Sequence, residues 1–479
     1  MSLGKKMFSG VLWSAIDKLS TQAIQFILGI VLARLLTPEE YGTIGLLLVF
    51  IAISKVFIDS GFTKALIQKQ ERTQADISTA FLFNVIISIV AYTILWIAAP
   101  LVADFYNIEI LSLLLRVLAI SLIINALYTV PYTLISITLD FKTISKINLA
   151  STIFSGLIAV YLAYNGYGVW ALVFQTLINS ITTVAMVWIF NSWRPSLIFS
   201  KKSFKSLFSY GSNLLVSSLL ERAVSDLSSL LIGKYLSTKN LGYYTRGTQF
   251  TNFFSSSVGS ILDRVLLPGL ATVQQDMNEL VRYVKQIIKI NALITVPLFF
   301  GLGILADPII RVLLTERWIM AVPIMQIFCV ARLITLLCGI NVNILYIIGR
   351  TDLALRQQYF KIAVRVILVL ASIKFGIIYI AFAELLSTAI HYFINSFYPG
   401  KLMHYGAFKQ LRDIFPFFIS GLVMAMIVFV TILFIENSIL KLIIGPAVGI
   451  LSYLIMIRLL KIRELNFLLH KLKEFKIKS

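Results

Sequence analysis

The chain has 479 residues, of which 58% are hydrophobic and only 13% charged. A soluble domain carries about a quarter of its residues as charges, so a soluble enzyme is excluded and the chain reads as an all-α polytopic membrane protein. The net charge of +20 does not indicate nucleic acid, because the basic residues stand in short stretches between apolar runs, where membrane topology places them.

A span needs about 20 mainly apolar residues, and the sequence offers about 14. In chain order they fall at 10–35, 41–66, 77–103, 110–137, 144–164, 168–190, 207–236, 241–270, 283–306, 318–348, 355–375, 377–398, 413–435 and 438–460. The first follows a basic start, but it is too long and too polar for a signal peptide and reads as a retained span. With the N-terminus inside, the inner loops and tails, including the basic tail from Arg458, carry roughly 28 lysines and arginines against about eight outside. This predicts that both termini are cytoplasmic. The six tryptophans fall near span ends, where amphipathic rings favour the interface. No loop has room for a soluble catalytic domain, and no metal-ligand or phosphate-loop spacing occurs, so neither catalysis nor a cofactor is expected. Cys329 and Cys338 share one apolar segment, about 13 Å apart along a helix, too far for a disulfide.

The segment 33–50 aligns without a gap on 233–250: Leu36 meets Leu236, Thr37 meets Ser237, Gly42 meets Gly242 and Phe50 meets Phe250. Further similarities follow in the same order, 98–102 with 306–310 and 139–146 with 348–356. The pattern predicts two six-helix lobes, 1–200 and 201–412, related by an axis along the membrane normal. Helices 13 and 14 and a basic tail (413–479) are added, and a site between the halves is expected.

Charges within spans are costly and usually face a partner or a wet cavity. Only residues three or four apart face each other on a helix. Lys55 with Asp59, and Arg222 with Asp226, have that spacing and could be neutralised within their own helices. Lys18, Arg246, Arg332 and Arg365 have no acid so placed, and Asp17, Glu221 and Glu384 have no base. These either pair between helices or line a cavity. Polar stripes at helical spacing accompany them: Ser14, Lys18, Gln22, Gln25 and Gly29; then Thr245, Gln249, Asn252, Ser256 and Gly259; then Glu384, Thr388, His391 and Asn395. A cavity in which bases predominate suits an anionic cargo, with arginine forks matched to phosphate oxygens. Asp17, Glu221 and Glu384 are candidates for ion coupling.

The run from Trp13 to Gly42, with its A-R-L-L-T-P-E-E-Y-G element at Ala33 to Gly42, and the second element from Asp59 to Gln68 resemble the opening of the polysaccharide-specific flippases of the MATE-like (MOP) superfamily. The resemblance implies a two-lobed bundle with a central cavity, in the bacterial inner membrane. It implies a cargo of undecaprenyl-pyrophosphate-linked oligosaccharide, moved to the outer leaflet by alternating access with proton or sodium antiport. Lipid-linked oligosaccharide, membrane lipids and polysaccharide polymerase machinery would be the partners. In that reading Lys18, Lys55, Arg222, Arg246, Arg332 and Arg365 supply cavity cations for the pyrophosphate, and Gln22, Gln25, Gln249, Asn252 and Thr388 polar lining. A lipid II flippase shares spans and a basic cavity. A MATE drug antiporter should be richer in cavity acids. A polymerase or ligase needs a long outer loop that this chain lacks.

Overall fold

The computed structural model describes residues 3–59, 61–271, 276–462 and 464–465. The tail beyond Leu465 lies outside the described residues. Sixteen α-helices follow one another: α1 (Leu3–Leu35), α2 (Pro38–Asp59), α3 (Phe62–Gln68), α4 (Gln74–Tyr106), α5 (Ile110–Ile137), α6 (Phe141–Tyr164), α7 (Val169–Phe190), α8 (Lys201–Tyr235), α9 (Thr238–Ala271), α10 (Met277–Ile304), α11 (Ala306–Leu313), α12 (Ala321–Ile347), α13 (Thr351–Ser372), α14 (Ile377–Met403), α15 (Ala407–Leu433) and α16 (Ser438–Leu459). There is no strand among the described residues. The all-helical content follows from the solvent, since a segment in lipid must satisfy its own backbone groups.

Eleven of these helices are long and apolar enough to cross a membrane, fewer than the 14 spans expected. The long helices outside that set are α8, α9 and α13. Each is of spanning length, but charges interrupt it: Glu221, Arg222 and Asp226 in α8, Arg246 in α9, Lys361 and Arg365 in α13. The expected span 41–66 is also broken. α2 stops at Asp59 because Gly61 takes the left-handed conformation, φ 73°, open to glycine at little cost. α3 then starts afresh.

The start of α2 gives the T-P-E-E-Y-G element a physical reason. Thr37 caps the helix: the Glu40 amide donates to Thr37 Oγ1 (3.3 Å) and the Thr37 amide to Glu40 Oε2 (2.7 Å). This is a reciprocal capping box, with Pro38 in the first turn, where its missing N–H costs nothing. Gly42 is there for close approach. A Cβ on it would lie 1.7 Å from Thr238 O, and one on Gly242 would lie 1.9 Å from Pro38 O. The contact is reciprocal between positions that the internal alignment pairs, 38 with 238 and 42 with 242. Glu39 and Lys239, another aligned pair, meet at 3.6 Å.

The chain divides into two units, Met1–Thr245 and Arg246–Ser479. In the first, α1 packs on α6, α4 on α5, α6 and α5 on α7, and α2 on α8. In the second, α12 packs on α14 and α10, α13 on α14, and α15 on α10 and α16. Lipid offers no hydrophobic drive between helices, so close packing and polar seams hold them. One such seam ties α12, α14 and α15. Gln410 and Asn341, both fully buried, exchange two amide hydrogen bonds (3.0 and 2.8 Å), and Tyr392 OH donates to Gln410 Oε1 (3.2 Å).

Candidate functional site

The first unit carries an acidic centre on α1. Asp17 accepts from Asn148 Nδ2 on α6 (3.1 and 3.2 Å) and from the Thr21 hydroxyl (3.4 Å). Asn148 also bonds Tyr132 OH on α5 at 3.1 Å. A carboxylate within a span is thus met by neutral hydrogen-bond donors and, among the described residues, by no base. The next residue, Lys18, is exposed and makes no hydrogen bond or ion pair among the described residues. Gln22 is half-buried and Gln25 exposed. Adjacent residues point in different directions, so Asp17 bonds to α6 while Lys18 stands clear of it.

On α8, Arg222 and Asp226 form the ion pair that their spacing predicts, with Nε–Oδ2 at 2.6 Å. Lys55 and Asp59 do not pair. Lys55 is exposed, whereas Asp59, the last residue of α2, turns Oδ1 into a buried place without a hydrogen-bond partner. Glu221 is exposed.

In the second unit, Arg246 is 6% exposed, donates to Gln249 Oε1 and has its guanidinium 6.0 Å from the Trp318 ring centre. Arg332 is half-buried, 5.2 Å from the Phe328 ring centre. Asn252 is exposed. Arg365 on α13 and Glu384 on α14 pair between helices. Arg365 Nε and Nη2 donate to Glu384 Oε1 (3.2 and 2.7 Å), and Nη2 also lies 2.7 Å from Oε2. The stripe on α14 is therefore a seam against α13. Thr388 donates to Glu384 O (2.8 Å), and His391 Nε2 lies 2.9 Å from Lys361 O and 3.1 Å from Ser387 Oγ.

Asn148, Tyr132, Lys361 and Gln410 were not singled out from the sequence. The first two have a signal there, as polar residues in spans 4 and 5, but their link to Asp17 requires knowing that α1 packs on α6. Two apolar grooves also occur in the second unit. One of about 570 Å³ between α10, α15 and α16 is lined by residues such as Pro297, Val428 and Tyr453. One of about 410 Å³ between α10, α12, α14 and α15 is lined by residues such as Phe299, Leu333 and Phe393. None of the charged residues lines either groove. No group of three metal-ligating side chains occurs among the described residues. Outside the spans, burial and the neighbouring Asp413 carboxylate, which accepts from Tyr405 OH at 2.9 Å, push the Tyr405 phenol up.

Long apolar helices, with charges set inside them, define a polytopic membrane protein. The fold is that of the MATE-like superfamily. The lipid II flippase MurJ, in an inward closed conformation, superposes with a TM-score of 0.76 at 16% identity, over 93% of this chain and 98% of that one. An inward-facing multidrug resistance MATE family transporter of the MOP superfamily gives 0.61 at 14% identity, over 82% of this chain and all of that one. Residues 31–323 match the polysaccharide biosynthesis protein family, and the chain belongs to it. The teichuronic acid biosynthesis protein TuaB of Bacillus subtilis (strain 168) is 25% identical over 463 residues, 95% of this chain and 96% of the relative. The protein is thus a multi-pass membrane transporter of a polysaccharide-export family.

Proposed function

We propose that this chain flips undecaprenyl-pyrophosphate-linked oligosaccharide from the cytoplasmic to the outer leaflet, for assembly of a surface polysaccharide. Transport runs by alternating access through a basic cavity. One observation carries the reading: the three long helices too polar to cross as ordinary apolar spans, α8, α9 and α13, are those bearing Arg222, Arg246 and Arg365. A helix with such residues crosses a bilayer only if they face a partner or water. With α8, α9 and α13 crossing as well, there are 14 spans, six in each lobe (1–200 and 201–412) and two added with the tail (413–479). The reciprocal Gly42 and Gly242 contact supports the duplication.

Lys18, Lys55, Arg222, Arg246, Arg332 and Arg365 serve the pyrophosphate, and Gln22, Gln25, Gln249, Asn252 and Thr388 the polar lining. Lys18 is the leading candidate, since no acid pairs with it among the described residues. Asp17, held by Asn148 and Thr21 with no base among the described residues, suits proton or sodium coupling, with Glu384 and Glu221 as further candidates. Both termini are placed in the cytoplasm of a cell whose inner membrane holds the protein, and polysaccharide polymerase machinery takes the cargo onward.

The test is translocation in proteoliposomes of a fluorescent undecaprenyl-pyrophosphate oligosaccharide, with lipid II and a cationic drug as competing cargoes. Transport of the oligosaccharide lipid, lost in Lys18→Ala, is the expected result. Preference for lipid II or for the cation would overturn the assignment.

A further inference from the structure

Residues 191–200 join α7 to α8, and they are bonded down onto the first turns of α4. Trp193 Nε1 donates to Gln74 Oε1 (2.8 Å), and Gln74 Nε2 donates back to Arg194 O (2.9 Å). Ser196 and Ser78 hydroxyls meet at 2.8 Å, and the Ser200 amide donates to Thr79 Oγ1 at 3.0 Å. Between the anchors at Ser196 and Ser200 stand three apolar residues that remain largely exposed. Leu197 is 93% exposed, Ile198 51% and Phe199 47%. Exposed Lys201, Lys202 and Lys205 follow directly. Lysines in the first turn oppose the helix dipole, so they do not serve α8 itself.

We propose that Leu197, Ile198 and Phe199 insert into the interfacial layer of the leaflet at this end of the helices. Lys201, Lys202 and Lys205 then hold anionic lipid headgroups beside them. Three apolar residues flanked by cations match the pattern of segments that lie in a membrane surface. The depth is set by the anchors. α7 ends at Phe190 and α4 begins at Gln74, so a loop bonded to the start of α4 sits at the level where spans end. Aromatic rings mark the same level: Trp188 stacks on Trp193 (6.2 Å), and Phe204 on Phe208 (5.4 Å) and near Phe199 (5.8 Å). Of these, the tryptophans favour headgroup depth. A tip fixed there meets lipid before it meets a soluble partner. Because the hydrogen bonds hold the loop in shape, little ordering accompanies insertion, and the connector between α7 and α8 becomes a fixed point on the membrane.

The experiment uses the full chain in vesicles of phosphatidylcholine with phosphatidylglycerol. Cys329 and Cys338 are buried, so Ile198→Cys accepts a thiol-reactive bimane selectively. Blue-shifted emission is expected, with quenching by lipid spin-labelled near the headgroup and protection from aqueous acrylamide. Changing Lys201, Lys202 and Lys205 to Gln one at a time should raise the acrylamide-accessible fraction about fivefold each, the equivalent of about 1 kcal/mol per basic residue near an anionic surface. Pure phosphatidylcholine should have the same effect as removing the lysines. Full acrylamide access in anionic vesicles would overturn the proposal and leave the tip for a soluble protein. Protection indifferent to both lipid charge and the lysines would overturn the headgroup assignment.

Discussion

Arg365→Ala puts the Arg365–Glu384 pair to a quantitative test. Glu384 is 4% exposed, so removing its partner strands a carboxylate between α13 and α14. The three contacts, at 2.7, 2.7 and 3.2 Å, form a two-pronged fork onto one carboxylate. Two unit charges about 4 Å apart at an effective dielectric of 20 attract by about 4 kcal/mol. Removing one member of a buried pair commonly costs about 3–5 kcal/mol. Both figures predict a large loss for Arg365→Ala. Glu384→Gln should cost less, about 1.5–3 kcal/mol, because the amide oxygen still accepts and Arg365 is the more exposed partner. Arg365→Met with Glu384→Leu removes both charges and keeps the volume, so stability should return to near the native level. The assay is thermal unfolding of purified protein in detergent, followed by fluorescence-detected size exclusion, with abundance in membranes alongside. Additive losses in the double variant, or an Arg365→Ala protein as stable as the parent, would refute the reasoning. Transport separates the roles further. A stable double variant that still flips cargo would make the pair a strut, whereas a stable and inactive one would place Arg365 in the cargo path.

Lys18→Ala should reduce flipping by tenfold or more while leaving abundance unchanged, since Lys18 contacts no partner among the described residues; quantitative blotting beside the liposome assay decides this. Gly42→Ala should lower the yield of folded protein, because its Cβ would meet the Thr238 carbonyl, a backbone atom that cannot rotate away, and such overpacking costs at least about 1–3 kcal/mol. Gly301→Ala, with nothing within 4 Å of its Cβ, is the matched control. Gln410→Leu should destabilise by about 1–3 kcal/mol by leaving buried Asn341 without its amide partner, and Asn341→Leu in the same chain should recover part of the loss, read by the same unfolding assay.

Much of this protein is legible in its residues, because the bilayer imposes a simple rule. A span must be about 20 residues long and apolar, so every long helix can be located from the sequence, although the starts of α1, α8, α10 and α15 and the end of α2 lie six or seven residues from where the apolar run puts them. The capping residues Thr37 and Glu40 and the paired glycines 42 and 242 were visible as a motif and as a repeat. The pairing of Arg222 with Asp226 followed from spacing on one helix. Lys55 and Asp59 have the same spacing within α2 and form no ion pair among the described residues. Spacing brings two side chains within reach of each other and does not fix which way each one turns.

What the sequence determined by itself was the solvent, the helices and the residue types set against that solvent. Its local signals act within a turn or two of one helix. Which helix faces which was decided only by the tertiary structure, through close approach of small residues and satisfaction of polar groups far apart in the chain. Glu384 meets Arg365 from a neighbouring helix, Asp17 meets Asn148 across 131 residues, and Gln410 meets Asn341 across 69. The same cause explains Lys18. Its charge was plain in the sequence, but that no ion pair meets it among the described residues is a fact of the tertiary structure.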